Sequence, residues 1–230
     1  MIIDRRALAR AITIVESDNP AHHDEAQRLL SVKHTHARRI GISGAPGVGK
    51  STLIESLGLF LLNQGKHVAV LAIDPSSPIT GGSILGDKTR MPKLSNDPRA
   101  FVRPSPSRGV LGGVSYKTPE TITLCEIAGF DIVIVETVGV GQSETAVNSM
   151  VDVFVLLIQP GSGDELQGVK RGIVELADVV VVTKFDLEDG RLADETKRQY
   201  TRAVRKKTPV LKVSALTGEG IEALYQQICI

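Results

Sequence analysis

Residues 44–52 read Gly-Ala-Pro-Gly-Val-Gly-Lys-Ser-Thr, and no other stretch of the 230-residue chain narrows its possible folds so far. Gly44, Gly49, Lys50 and Ser51 fill the fixed positions of the phosphate-binding loop pattern G-x-x-x-x-G-K-[ST], with Pro46 and Gly47 inside the loop and Thr52 after it. The spacing has a chemical reason. Glycines let successive backbone N–H groups turn inward around an anion. A helix starting near Lys50 points the positive end of its dipole at the same place. Lys50 then reaches the β- and γ-phosphates of a nucleotide, and the Ser51 hydroxyl binds Mg²⁺. The alternative, a chance glycine-rich turn, fits the flanks poorly. Arg39–Ser43 reads as a strand entering the loop, and Ser51–Leu62 has helical periodicity leaving it.

Alternation of strands and helices continues along the chain. Arg5–Val32 reads as helix, with Leu8, Ile12, Val15, Ala26, Leu29 and Leu30 as apolar positions, broken near Asp18-Asn19-Pro20. Lys33–Ala37 is a polar connector. His67–Ile73, Ala100–Arg103, Asp131–Val135, Val151–Ile158, Val179–Thr183 and Val210–Val213 read as strands. Pro119–Ile127, Arg191–Lys206 and Gly220–Ile230 read as helices. Several strands are apolar on both faces, as in a parallel sheet covered by helices. The expected fold is α/β, a doubly wound and mainly parallel sheet of the P-loop NTPase type. Residues 1–37 would form an N-terminal helical extension and residues 38–230 the nucleotide domain. Ligands bind such sheets at the carboxyl ends of the strands.

Candidate residues gather at those ends. Asp74 closes one strand and opens a loop of Gly, Pro, Ser and Thr that also carries Asp87. Glu136 closes another and opens ETVGVGQSE. A carboxylate there sits where phosphate-loop proteins hold Mg²⁺, directly or through water. Gly139 and Gly141 permit a backbone that rearranges around a γ-phosphate. Taken singly, each acid also reads as a solvated loop residue or helix cap. Thr183-Lys184-Phe185-Asp186 ends the strand Val179–Thr183, where guanine-nucleotide proteins carry N-K-x-D. An Asp186 carboxylate accepts guanine N1–H and the exocyclic amine, a donor pair that adenine lacks. Lys184 would lie along the base with its stem. Thr183 stands in place of the usual Asn and can make fewer bracing hydrogen bonds. Ser214-Ala215-Leu216, after the last strand, resembles a loop whose backbone N–H meets guanine O6.

On the motifs GAPGVGKST, DPSSPITGGSILGDKTRM and ETVGVGQSE, the chain resembles the MeaB/MMAA/ArgK family of GTPases, chaperones of cobalamin-dependent acyl-CoA mutases. RALARAITIVES is similar to the N-terminal helices of that family, so the resemblance runs from about Arg6 onward. It implies that Lys50, Ser51 and Thr52 serve phosphates and Mg²⁺. It puts Asp74 and Glu136 in the metal shell, and Asp87 in a switch loop with a further place among the metal-site acids. Residues 138–144 would be a second switch. QPGSGDELQGVK, residues 159–170, resembles a third switch that senses the mutase, with Asp164 and Lys170 as its charged candidates. A turn whose acids cap the next helix is the alternative there. Gln142 and Asp87 are the two candidates for positioning the attacking water.

The expected activity is Mg²⁺-dependent hydrolysis of GTP to GDP and phosphate, signalled to such a mutase. The alternatives are a kinase linked to amino-acid transport and a module that binds nucleotide without turnover. With 27 basic and 26 acidic residues, composition gives no electrostatic reason to expect nucleic acid or an anionic membrane as partner. Arg5, Arg6 and Arg10 interrupt the N-terminus before any apolar signal core, and no apolar run is long enough to cross a bilayer, so a cytoplasmic location is expected. Cys125 and Cys229 read as thiols packed in helices rather than a disulfide. His22-His23 and His34-x-His36 read as surface residues rather than a metal site. Arg202–Lys207 reads as a solvated basic face. The one helix after Ala215 offers little apolar surface to spare, which predicts a monomer or weak dimer.

Overall fold

The computed structural model describes residues 4–74, 91–106, 117–137, 143–161, 171–186 and 190–229. Seven strands form one sheet: β1 (Arg38–Gly44), β2 (Val68–Asp74), β3 (Ala100–Pro106), β4 (Ile132–Glu136), β5 (Val153–Ile158), β6 (Val179–Thr183) and β7 (Val210–Val213). Their order is β3-β2-β4-β1-β5-β6-β7, and every neighbouring pair is parallel. The chain runs outward through β2 and β3, returns to place β4 beside β1, then crosses to β5, β6 and β7. β1 therefore lies at the point where the winding reverses, the usual place for a ligand crevice.

Alternate residues of a strand serve opposite faces. Val68 and Val70 join one core cluster with Ile54, Leu57, Leu61 and Leu94. Ala69 and Leu71 join the other, with Phe101, Ile122, Phe130 and Tyr200. That period of two needs apolar residues at every position, and β4, β5 and β6 are buried throughout. Helices α3 (Lys50–Asn63), α4 (Pro92–Asn96) and α9 (Ile221–Cys229) cover the first face. Helices α1 (Arg5–Val15), α2 (His23–Leu30), α5 (Thr118–Ile127), α6 (Ser143–Asn148), α7 (Arg171–Leu176) and α8 (Arg191–Ala203) contribute to the second.

The helical segment ahead of β1 divides as expected. α1 starts at Asp4, whose carboxylate accepts from the N–H groups of Arg6 and Ala7 at 2.9 and 3.0 Å. A 3₁₀ turn at Pro20–His22, capped by Asn19, leads into α2. Leu8, Ile12 and Val15 of α1 are buried in the core cluster they share with Leu71 and Phe101. Arg103 of β3 adds a polar clasp, donating to Glu16 Oε2 at 2.8 Å and to the Ala9 carbonyl at 3.2 Å.

Several boundaries differ from expectation: β3 runs on to Pro106 rather than Arg103, and β5 starts at Val153 rather than Val151. α8 ends at Ala203 rather than Lys206, because Val204 turns to an extended conformation and packs its side chain on the core. Arg202, Arg205, Lys206 and Lys207 are exposed. Cys125 and Cys229 are free thiols within α5 and α9. Burial pushes the Cys125 thiol up to about 12, so it stays protonated.

Candidate nucleotide site

Parallel strands bring their carboxyl ends to one rim, so Gly44, Asp74, Glu136, Ile158, Thr183 and Val213 close their strands side by side. The 45–49 loop leaves β1 there. Gly44 has φ 153°, and a Cβ at that position would lie 2.6 Å from the Leu157 carbonyl oxygen, so only glycine fits. Gly47 and Gly49 follow with φ 80° and 101°. Gly49 caps α3 in the left-handed region with no side-chain hydrogen bond to the helix. The first-turn N–H groups of α3 thus face the loop with no side-chain cap, as an anion site requires.

Lys50 Nζ donates to the carbonyls of Gly44 at 2.7 Å and Ala45 at 3.1 Å, which holds the ammonium over the loop. The Ser51 hydroxyl donates to Glu136 Oε1 at 3.1 Å, and Glu136 is buried at the end of β4. This is a hard-oxygen pair, a hydroxyl beside a carboxylate, of the kind Mg²⁺ takes. Asp74 ends β2, whose Ala72 pairs with Glu136. Its side chain, together with Asp87, Gln142, Gly139, Gly141, Asp164 and Lys170, lies outside the described residues.

The other half of the rim holds a cavity of about 160 Å³. Gly49, Thr52, Thr183, Lys184, Asp186, Ala215 and Leu216 line it, with Val48, Leu53 and Val213 as its apolar floor. The four-residue turn after β6 and the tripeptide after β7 thus meet in one pocket beside the phosphate loop. Ser214 is fully buried, and its hydroxyl accepts from the Thr217 N–H at 3.2 Å, shaping the turn that carries Ala215 and Leu216. Lys184 has φ 53°, the one positive φ among described non-glycine residues. That conformation lays its chain across the loop, where Nζ donates to the Gly47 carbonyl at 2.7 Å. The Thr183 hydroxyl, buried, shares its proton between the carbonyls of Val48 at 2.8 Å and Ile158 at 3.2 Å. Threonine therefore does brace the loop, through one hydroxyl where an amide would offer more groups.

Sequence reading missed a polar group directly behind this rim. Thr137 Oγ1 donates to Ser43 Oγ at 2.8 Å, and Ser43 donates to Glu144 Oε1 at 3.3 Å. Ser43 directly precedes one legible motif, and Thr137 and Glu144 lie within another, but nothing in their spacing announces that they touch. At the opposite rim, His34 and His36 each lie 3.3 Å from the buried Glu126 carboxylate, and His36 lies 3.3 Å from Asp152. No metal-binding group of three ligands occurs among the described residues.

The fold and the loop on β1 place the chain among the phosphate-loop nucleotide hydrolases, and its relatives define it further as a GTPase. A hydrogenase maturation factor HypB from Archaeoglobus fulgidus shares the fold, with TM-score 0.63 over 97% of this chain at 17% identity. A solved structure described as LAO/AO transport system kinase has TM-score 0.81 and 37% identity, covering 99% of this chain and 70% of that one. GTPase ArgK of Escherichia coli is 47% identical over 236 residues, 98% of this chain and 71% of the relative. The mitochondrial methylmalonic aciduria type A homolog of Mus musculus is 48% identical over 242 residues, 96% of this chain and 58% of the relative. The family model described as methylmalonyl Co-A mutase-associated GTPase MeaB matches residues 8–229, and the chain belongs to that family.

Proposed function

We propose that this GTPase depends on Mg²⁺ and acts as a chaperone for a cobalamin-dependent acyl-CoA mutase, gating cofactor loading and protecting against inactivated cofactor. The observation that carries the catalytic half is the Ser51–Glu136 hydrogen bond at 3.1 Å beside the N-terminus of α3. Ser51 and Glu136, with Asp74 and Asp87 as further acids, would hold Mg²⁺, which supplies charge neutralisation at the β- and γ-phosphates. Lys50 exchanges the Gly44 and Ala45 carbonyls for those phosphate oxygens. The N–H groups of Gly47, Gly49, Lys50, Ser51 and Thr52 receive the remaining phosphate charge. Asp186 accepts both guanine donors, Lys184 covers the base, and Ala215 and Leu216 present backbone N–H groups to O6. Water attacks the γ-phosphorus, with Gln142 or Asp87 positioning it, the bond to the β-γ bridging oxygen breaks, and GDP and phosphate leave.

The family description and the name of the mouse relative support the mutase half. Residues 1–37 would form the helical extension of a nucleotide domain spanning 38–230, in a cytoplasmic protein. Among the described residues no helix is long and apolar enough to cross a membrane. Slow intrinsic turnover that rises when the partner orders the site is the expected kinetic signature. Phosphate release should therefore accelerate on adding methylmalonyl-CoA mutase, and Lys170→Ala should remove that gain while GTP affinity stays near wild type. An unchanged rate across a titration of the mutase would count against the chaperone reading. The name of the LAO/AO relative, a transport system kinase, favours phosphoryl transfer to an acceptor instead. Stoichiometric release of inorganic phosphate for each GDP formed, with no phosphorylated acceptor, separates hydrolysis from transfer.

A further inference from the structure

Ser43 of β1, Glu144 of α6 and Thr137, the residue after β4, are each 1% exposed and meet behind the phosphate loop. Thr137 also donates its backbone N–H to the Ile42 carbonyl at 3.0 Å, so its hydroxyl is held in register with β1. The two O–H dipoles run in sequence, Thr137 to Ser43 to Glu144, and end on the carboxylate. Glu144 lies one helical turn from Val147, a member of the apolar cluster, so the acid stands at the edge of the core.

Position gives the acid a use. Ser43 immediately precedes Gly44, whose carbonyl takes the Lys50 ammonium at 2.7 Å. Thr137 immediately follows Glu136, which takes the Ser51 hydroxyl at 3.1 Å. The polar chain thus joins the root of the phosphate loop to the root of the metal-site carboxylate, one residue away from each. We propose that Glu144 is a positioning residue for GTP hydrolysis: by accepting from Ser43 it sets the distance between Lys50 and Ser51 on one side and Glu136 on the other. The proposal rests on the assignment of those three residues to the phosphate and metal site. It gives Glu144 no contact with nucleotide.

A misplacement of about 1 Å can lower turnover a hundredfold while ground-state binding survives. Glu144→Ala should lower kcat about tenfold to a hundredfold at saturating GTP, with GDP affinity within about threefold of wild type. Glu144→Gln keeps an acceptor oxygen in place and should restore turnover to within about threefold. Ser43→Ala removes a single oxygen and is expected to fold even if Glu144→Ala does not; it should reproduce the loss. The double variant should be no slower than the slower single, because both act through one hydrogen bond. Wild-type kcat in Ser43→Ala or Glu144→Ala overturns the proposal. So do losses that multiply in the double variant, or a fall in kcat matched by an equal fall in GDP affinity. Lys50→Ala is measured alongside. If it keeps turnover, the assignment of the site fails and this proposal with it; if it loses turnover while Glu144→Ala does not, only this proposal fails.

Discussion

One hydroxyl, that of Thr183, ties the two halves of the nucleotide site together. It bonds the Val48 carbonyl in the phosphate loop and the Ile158 carbonyl at the end of β5. Beside it, Asp186 lines the same cavity and is the residue to which the proposed function assigns base selectivity. Asp186→Asn replaces one acceptor oxygen with a donor and removes the charge. Hydrogen bonds to a charged group contribute roughly 1.5–3 kcal/mol, so the preference for GTP over ATP should shrink by about an order of magnitude or more. Calorimetric titration of both nucleotides into wild type and variant checks this, and equal affinities in the wild type would refute the assignment. Legibility differed sharply at this scale. Lys50, Ser51, Lys184 and Asp186 stand in short local patterns whose chemistry requires that spacing. The Ser43–Glu144 and Ser43–Thr137 contacts span 101 and 94 residues, and no local pattern encodes a pair so distant.

Long, regular elements were equally readable. Every position of β4, β5 and β6 is apolar or ends at the rim, and α1 and α3 carry stripes or runs of apolar residues. The short helices α4, α6 and α7, of 5, 6 and 6 residues, are too brief to complete a period and went unread. α1 is the element whose standing is most open to test. Its Ile12 is fully buried in the cluster shared with the sheet. Ile12→Ala should therefore cost about 2–4 kcal/mol of global stability in chemical denaturation. A transition unchanged in midpoint would mean that the helical extension unfolds apart from the sheet.

At the scale of the molecule, the two rims carry different duties. The carboxyl rim holds the candidate nucleotide site, and the amino rim is laced by ion pairs. Burial would push the Glu126 carboxyl up, but hydrogen bonds from the Arg39 guanidinium and the Ala37 N–H hold it below its ordinary value, helped by the charges of Arg39 and His36. Asp152 is lowered in the same way: burial opposes, while the Arg39 N–H and His36 prevail. Depressed carboxylates stabilise the fold fully above their unfolded pKa values, about 4, and lose that contribution as pH falls through the lower folded values. Thermal stability should accordingly fall below about pH 4–5. Glu126→Gln should flatten that acid limb while lowering the neutral plateau. An acid limb identical in variant and wild type would remove Glu126 from the account.

The packing of α1 also has a consequence for synthesis. Leu8, Ile12 and Val15 are made well before Ile122, Leu124 and Phe130, which belong to the cluster that buries them. At about 5–20 residues per second, roughly 6–23 s separate the appearance of Val15 from that of Phe130. During that interval the apolar stripe of α1 stays attached to a ribosome-bound chain that cannot yet cover it. The nascent protein therefore presents a hydrophobic amphipathic helix to the cell for seconds before its own sheet exists. Yield in the cell is therefore expected to depend on early shielding of that stripe by a general folding factor, whatever the final stability of the fold.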